Sequence, residues 1–239
     1  PSITSGDVNN DNLEDILIGG SKGQAAQLFI QNNNKYKKKL NRVFLEDANY
    51  EDMESIFIDI DNDNDQDLYI VSGGNEFNQR SESLKDRIYI NDGNGNFSRS
   101  TQPEIPDYTI SGKTVSKIDF DKDGDQDLIV GNRIVTQKYP LHEPSIIYEN
   151  DNGKFKNVTY KIAAEFENFG IVNKVITTDI NNDGWEDFIS VGEWTNIGIF
   201  INNKGSFKNI SNQSNLEDLY GWWFDIQETD VNNDGYKDY

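Results

Sequence analysis

The chain has 239 residues, 42 acidic against 22 basic, for a formal net charge of −20 and no cysteine. That balance makes nucleic acid and anionic membrane surfaces poor partners, because like charges repel. The missing thiols exclude a disulfide framework, a zinc ribbon and an iron–sulfur site. No apolar run approaches the ~20 residues that a membrane-spanning helix needs.

Taken in order, the chain reads as one unit written five times. An apolar or alternating segment of strand length leads into a loop of acidic residues, and a second such segment leads out. The leading segments are Ser2–Ser5, Ser55–Ile58, Val115–Ile118, Val175–Thr178 and Trp223–Thr229. The trailing ones are Ile16–Ile18, Leu68–Val71, Leu128–Val130 and Phe188–Val191. Both sets are rich in β-branched residues, as strands are. A third strand follows at Leu28–Ile30, Ile88–Ile90, Ile146–Tyr148 and Ile197–Ile201, each running into an Asn/Gly-rich turn. Such residues accept the positive φ of a hairpin turn. Tyr36, Phe97, Phe155 and Phe207 then open a fourth strand. Four strands per repeat predict an all-β protein, a β-propeller of four-stranded blades. The approximate blades are 1–42, 43–102, 103–162, 163–214 and an incomplete 215–239, together one architecture with no domain boundary. No stretch carries a sustained helical period, and Glu165–Phe169 is too short to count. Because the chain opens just before one acidic loop and stops just after another, we expect a piece of a longer protein. Its targeting segment or lipid anchor would lie elsewhere.

The five loops carry the chemistry. Counting from the first aspartate, positions 1, 3, 5 and 9 are Asp7, Asn9, Asp11, Asp15; Asp59, Asp61, Asp63, Asp67; Asp119, Asp121, Asp123, Asp127; Asp179, Asn181, Asp183, Asp187; and Asp230, Asn232, Asp234, Asp238. Hard oxygen donors at this spacing, with a backbone carbonyl at position 7 (Leu13, Asp65, Asp125, Trp185, Tyr236), predict five Ca²⁺ sites in the turns between first and second strands. Position 6 is Gly124, Gly184 or Gly235, and Asn12 or Asn64 in the first two loops, residues that tolerate a left-handed backbone. An EF-hand would need a bidentate Glu at position 12 and flanking helices. Position 12 is instead Ile18, Ile70, Val130 or Ser190. The alternative is a set of Asx turns without an ion, which would leave converging carboxylates to repel one another. Seventeen carboxylates stand at these ligand positions, and five Ca²⁺ would take the charge from −20 to about −10.

With those motifs, and with Ser72-Gly-Gly-Asn75, Leu84–Asn91, Val130–Arg133, Tyr139-Pro140, Val191–Trp194 and Gly221-Trp-Trp223, the chain resembles the FG-GAP/VCBS repeat propellers, the family that includes the integrin α-subunit head. It is most similar to the bacterial cartilage-acidic-protein/UnbV (ASPIC) surface proteins. The resemblance covers nearly the whole chain. It implies a calcium-stiffened propeller, commonly seven-bladed, exported to the cell surface and outer-membrane associated in bacteria.

Ligands of a propeller meet loops at one end of the disc, which directs attention to Gly73–Arg87 and Gly131–Ser145. The second holds Arg133, Tyr139 and His142, the only histidine. Trp194, Trp222 and Trp223 with Arg80 and Arg87 form a candidate sugar-stacking platform and rim, although Trp222 and Trp223, directly before an acidic loop, are expected to pack between blades. Glu76, Glu143 and Glu193 are further acids on these connections. The expectation is a non-enzymatic binding module for a protein or glycan partner, an accessory subunit of an outer-membrane uptake complex or an adhesin. The rival is a polysaccharide lyase using Arg133, Tyr139 and His142.

Overall fold

The computed structural model describes residues 2–100, 109–216 and 218–239. The expected boundary between second and third blades, at 102–103, lies outside the described residues. The chain forms four-stranded antiparallel sheets, each a simple up-and-down meander. The first comprises β1 (Ile3–Gly6), β2 (Asp15–Ile18), β3 (Gln27–Asn32) and β4 (Lys35–Lys39). The second comprises β5 (Asp52–Ile58), β6 (Asp67–Ser72), β7 (Arg87–Ile90) and β8 (Ser98–Arg99). The third comprises β9 (Gly112–Ile118), β10 (Asp127–Asn132), β11 (Ile146–Asp151) and β12 (Lys154–Asn157). The fourth comprises β13 (Ile171–Thr178), β14 (Asp187–Thr195), β15 (Gly198–Asn202) and β16 (Phe207–Asn209). This all-β arrangement is consistent with propeller blades, and the first strands β1, β5, β9 and β13 pack side by side.

Alternation along the second strands explains how the sheets stack. Successive side chains point to opposite faces, so Leu68 and Ile70 enter one cluster with Val8, Leu17, Leu28 and Phe44 of the first sheet. Tyr69 and Val71 enter the next cluster, with Leu128, Val130 and Tyr148 of the third. Ile129 and Ile147 in turn meet Val175, Phe188 and Phe200 of the fourth. The core is therefore a series of layers between sheets. Strands β6 and β10 are buried on both faces, which is why they read as continuous apolar runs.

One expectation about the strands needs correction. Trp223–Thr229 does not form a first strand. The pairing falls instead on β17 (Gly221–Trp222), which joins β14, while Thr229 makes an isolated bridge to Asp238. Among the described residues three one-turn helices also occur, α1 (Arg42–Glu46), α2 (Thr159–Ile162) and α3 (Ala164–Glu167), the last overlapping Glu165–Phe169, and all are too short to alter the all-β reading. They bury single aromatics, Phe44 from α1 and Phe166 from α3, and tertiary packing overrides weak local propensity.

Sheets are also stitched by a recurring asparagine. Asn150, at the end of the third strand, is 1% exposed. Its Nδ2 donates to the Ile60 carbonyl of the preceding repeat at 3.1 Å and to the Gln126 carbonyl of its own, while its Oδ1 accepts from Gly153 N. Asn91 and Asn202 do the same toward Val8 and Phe120. Asn150→Ala strands buried carbonyls on two sheets, each worth about 1–3 kcal/mol. We expect a loss of about 2–3 kcal/mol in urea unfolding, against a change near zero for an exposed turn asparagine such as Asn203.

Candidate functional site

Each acidic loop is a tight turn, in the first four repeats at the end of a first-to-second-strand hairpin. Positions 4 and 6 both lie in the left-handed region, Lys122 at φ 62° and Gly124 at φ 100° in the third loop, Asn62 at φ 62° and Asn64 at φ 68° in the second. Asparagine is the non-glycine residue that visits this region most readily, so Asn12 and Asn64 replace glycine without changing the turn. The need at position 4 was a recurrent signal too: Asn10, Asn62, Asn182 and Asn233 stand there.

The turn orders its own carboxylates. Position 5 accepts from the position-7 N–H in every loop, for example Asp123 Oδ1 from Asp125 N at 2.9 Å and Asp11 Oδ1 from Leu13 N at 2.9 Å. In the first four loops position 9 is buried and bridges the repeat. Asp127 Oδ2 accepts from Phe120 N and its Oδ1 from Asn150 N; Asp15, Asp67 and Asp187 accept from the matching pairs. The position-9 aspartates thus tie each acidic loop to the third strand as well as facing its centre.

The loops divide into two kinds. In the second and third, Asp59, Asp61 and Asp67, and Asp119, Asp121 and Asp127, bring one carboxylate oxygen each within 4.8 Å of one another. Asp59 Oδ1 and Asp119 Oδ1 are buried without any hydrogen-bond partner. A buried anionic oxygen with no donor is costly, and a hard divalent cation is the group that satisfies it. In the first, fourth and fifth loops position 3 is asparagine, and its amide donates to position 5: Asn9 to Asp11, Asn181 to Asp183 and Asn232 to Asp234, at 3.0–3.1 Å. Position 1 is also occupied there, with Asp7, Asp179 and Asp230 accepting from the position-5 and position-6 N–H groups. Among the described residues, only the second and third loops gather three carboxylates this closely.

Electrostatics follows burial. Desolvation pushes Asp67 up to about 7 and Asp127 up to about 8, against the backbone donors that favour their charge, with neighbouring aspartates adding to the rise. Asp65, at position 7 of the second loop, is pushed up to about 6 by burial and then by Asp63. Clustered carboxylates with raised pKa values are a site short of positive charge. The residues fit Ca²⁺, which Asp59, Asp61 and Asp67, and Asp119, Asp121 and Asp127, would hold.

At the opposite end of the strands lie the long connections. Arg133 donates through Nε and Nη2 to Glu193 Oε1 at 3.1 and 2.6 Å, and Glu193 is buried. Trp194, next in sequence, has φ 60° and stands at a bulge where β14 skips from Glu193 to Thr195 against β17. Its indole N–H donates to the Tyr139 hydroxyl at 2.6 Å. Trp194 meets Trp222 edge to face at 5.3 Å, and Trp222 meets Phe224 at 6.4 Å. Tyr139, Trp194, Trp222 and Phe224 remain 46%, 59%, 53% and 62% exposed. On the connection that carries Tyr139, burial holds Glu143 above the ordinary carboxylate range against the pull of Arg80 and His142.

The expected platform is therefore redrawn. Trp222 does not pack between blades but stands in solvent beside Trp194, because β17 pairs with β14 and turns it outward. Trp223 is half-buried as expected, with its backbone N–H on Gly192 O. Arg87 belongs to no rim. It is 3% exposed, ion-paired with Asp52 and hydrogen-bonded to Ser72 Oγ and the Tyr89 hydroxyl, so it braces β5, β6 and β7 within the second sheet. Tyr139 and Phe224 complete the cluster that the tryptophans begin, and Phe224 carried no sequence signal beyond its aromaticity.

The chain spans about half of a solved structure to which it is similar, described as the structural basis of specific recognition of non-reducing terminal N-acetylglucosamine by an Agrocybe aegerita lectin: 16% identity, TM-score 0.54, 90% of this chain and 52% of that one. The likeness is one of fold. No curated protein matches the sequence. The model of the FG-GAP-like repeat matches residues 59–130 and 179–239, more than half the chain and four of its acidic loops, and the chain accordingly belongs to the FG-GAP-like repeat family.

Proposed function

We propose that this chain is part of a calcium-stiffened β-propeller, seven-bladed when complete, that works as a non-enzymatic binding module at a cell surface. Ca²⁺ in the acidic loops sets the blades at one end, and the opposite end carries the ligand. The observation that carries this reading is the convergence there of four exposed aromatic rings from three consecutive repeats. A solvent-facing apolar cluster of that kind marks an interaction site. The partner is a protein or a glycan, and the similar lectin's recognition of a sugar supports the second. Within the resemblance to ASPIC-type surface proteins, the role is an accessory subunit of an outer-membrane uptake complex or an adhesin. The test is purification of the full-length protein from its native membrane in gentle detergent with Ca²⁺, followed by mass spectrometry of what is retained. A stoichiometric transporter or a bound glycan supports the binding module. Turnover of a uronic-acid polymer that disappears in His142→Ala would replace it with the enzyme.

A further inference from the structure

We infer that Tyr139, Trp194, Trp222 and Phe224 form a site for a neutral oligosaccharide, an assignment that rests on the binding-module reading above and gives it a ligand class. The rings come from three consecutive repeats. Tyr139 lies in the hairpin of the third repeat, Trp194 ends the second strand of the fourth, and Trp222 and Phe224 enter the fifth. In this stretch of the propeller each ring is about half exposed or more. Trp194 also holds a left-handed backbone that a bulky residue avoids and glycine takes freely. Strain of this kind, held in place by Arg133 on Glu193 and by the β14–β17 pairing, gathers at ligand sites.

The chemistry of the surround selects a sugar. Neighbouring rings meet at 83° and 88°, so they offer an angled cleft rather than a flat apolar face. The C–H face of a pyranose packs on an aromatic ring while its equatorial hydroxyls reach polar groups at the edge. Those groups are present. The Tyr139 oxygen accepts from Trp194, which leaves its own proton to donate outward, and Arg133, a third exposed, has an Nη1 that no bond to Glu193 uses. Arg80, His142 and Glu143 lie on the same two connections. The acidic balance of the chain, −20 without metal, disfavours polyanionic sugars at long range, and the site is accordingly assigned to a neutral one.

The test titrates chitotetraose, cellotetraose and, as a charged control, tetragalacturonate into the full-length protein in Ca²⁺, by calorimetry and tryptophan fluorescence. We expect saturable binding of at least one neutral tetrasaccharide and none of the uronate. Trp194→Gly suits the backbone and keeps the fold, and it should weaken binding at least about tenfold with an unchanged melting temperature. Trp222→Ala should do the same, while Tyr160→Ala, exposed on α2, should leave affinity unaltered. Binding that persists in both tryptophan variants, or a preference for the uronate, overturns the assignment. If no tetrasaccharide binds but a protein partner is retained by the wild type and released by Trp194→Gly, the sugar falls and the binding module stands. If nothing is retained by either route, both fall.

Discussion

Chelation of Ca²⁺ is expected to lower the melting temperature by roughly 10–20 °C. Two sites filled at a hundredfold excess over their dissociation constants add about 5 kcal/mol to a state that binds while the unfolded chain does not. For a domain of this size each kcal/mol is worth roughly 2–4 °C. The second and third loops should supply most of the effect, because four carboxylates attract Ca²⁺ more strongly than three and an amide. Asp123→Ala should reproduce part of the loss at the third loop, and added Ca²⁺ should restore less of it. Protons compete for the same oxygens. In the chelated protein, Asp67 and Asp127 hold protons up to about pH 7 and 8, whereas an unfolded aspartate releases them near 4. The folded state then binds more protons across that window, so stability present at low pH is lost as pH rises from about 4 to about 8. The increment given by Ca²⁺ should accordingly be larger at pH 8.5 than at pH 5.5. A melting temperature indifferent to both chelator and pH would remove the structural role of the loops.

Arg87→Ala should destabilise the second sheet at a cost of about 3–5 kcal/mol, since it leaves a buried carboxylate unpaired. Asp52 is 2% exposed, and its other oxygen already accepts from Gly20 N at 2.6 Å, so it has no route to water. The guanidinium also lies 4.2 Å over the Tyr50 ring, and its partner Tyr89 donates to Asp47 at 2.7 Å, which in turn pairs with Arg99. Removal of one member therefore disturbs a network whose groups compensate one another. Arg99→Ala, whose side chain is partly exposed, should cost much less. Urea unfolding of both variants in saturating Ca²⁺ measures the difference, and similar small losses would show the network to be solvated.

Much of this was legible in the sequence because local chemistry fixes it. The acidic loops, their left-handed sixth position and the apolar runs on either side depend on residues a few places apart, and all four complete sheets lie where those runs stand. Partners far apart in sequence were not legible. Asn150 reads as a hairpin residue, yet its amide reaches Ile60, 90 positions away. Arg87 sits beside a long connection and looks like a rim cation, but alternation along β7 turns it inward toward Asp52. Trp222 was expected to be buried because it precedes an acidic loop, and a two-residue pairing with β14 sets it in solvent instead. The difference between Asn and Asp at position 3 was visible, but its consequence was not. Only the geometry shows the Asn181 amide occupying the oxygen that Asp121 leaves free for a cation.

The most direct measurement is calcium titration of the chelated protein by isothermal calorimetry, with the bound ion counted by native mass spectrometry. Two tight sites, lost one each in Asp61→Ala and Asp121→Ala, followed by weaker binding to a total of five, is the predicted result. A protein that stays folded, binds no Ca²⁺ in either loop and shows no heat would contradict it.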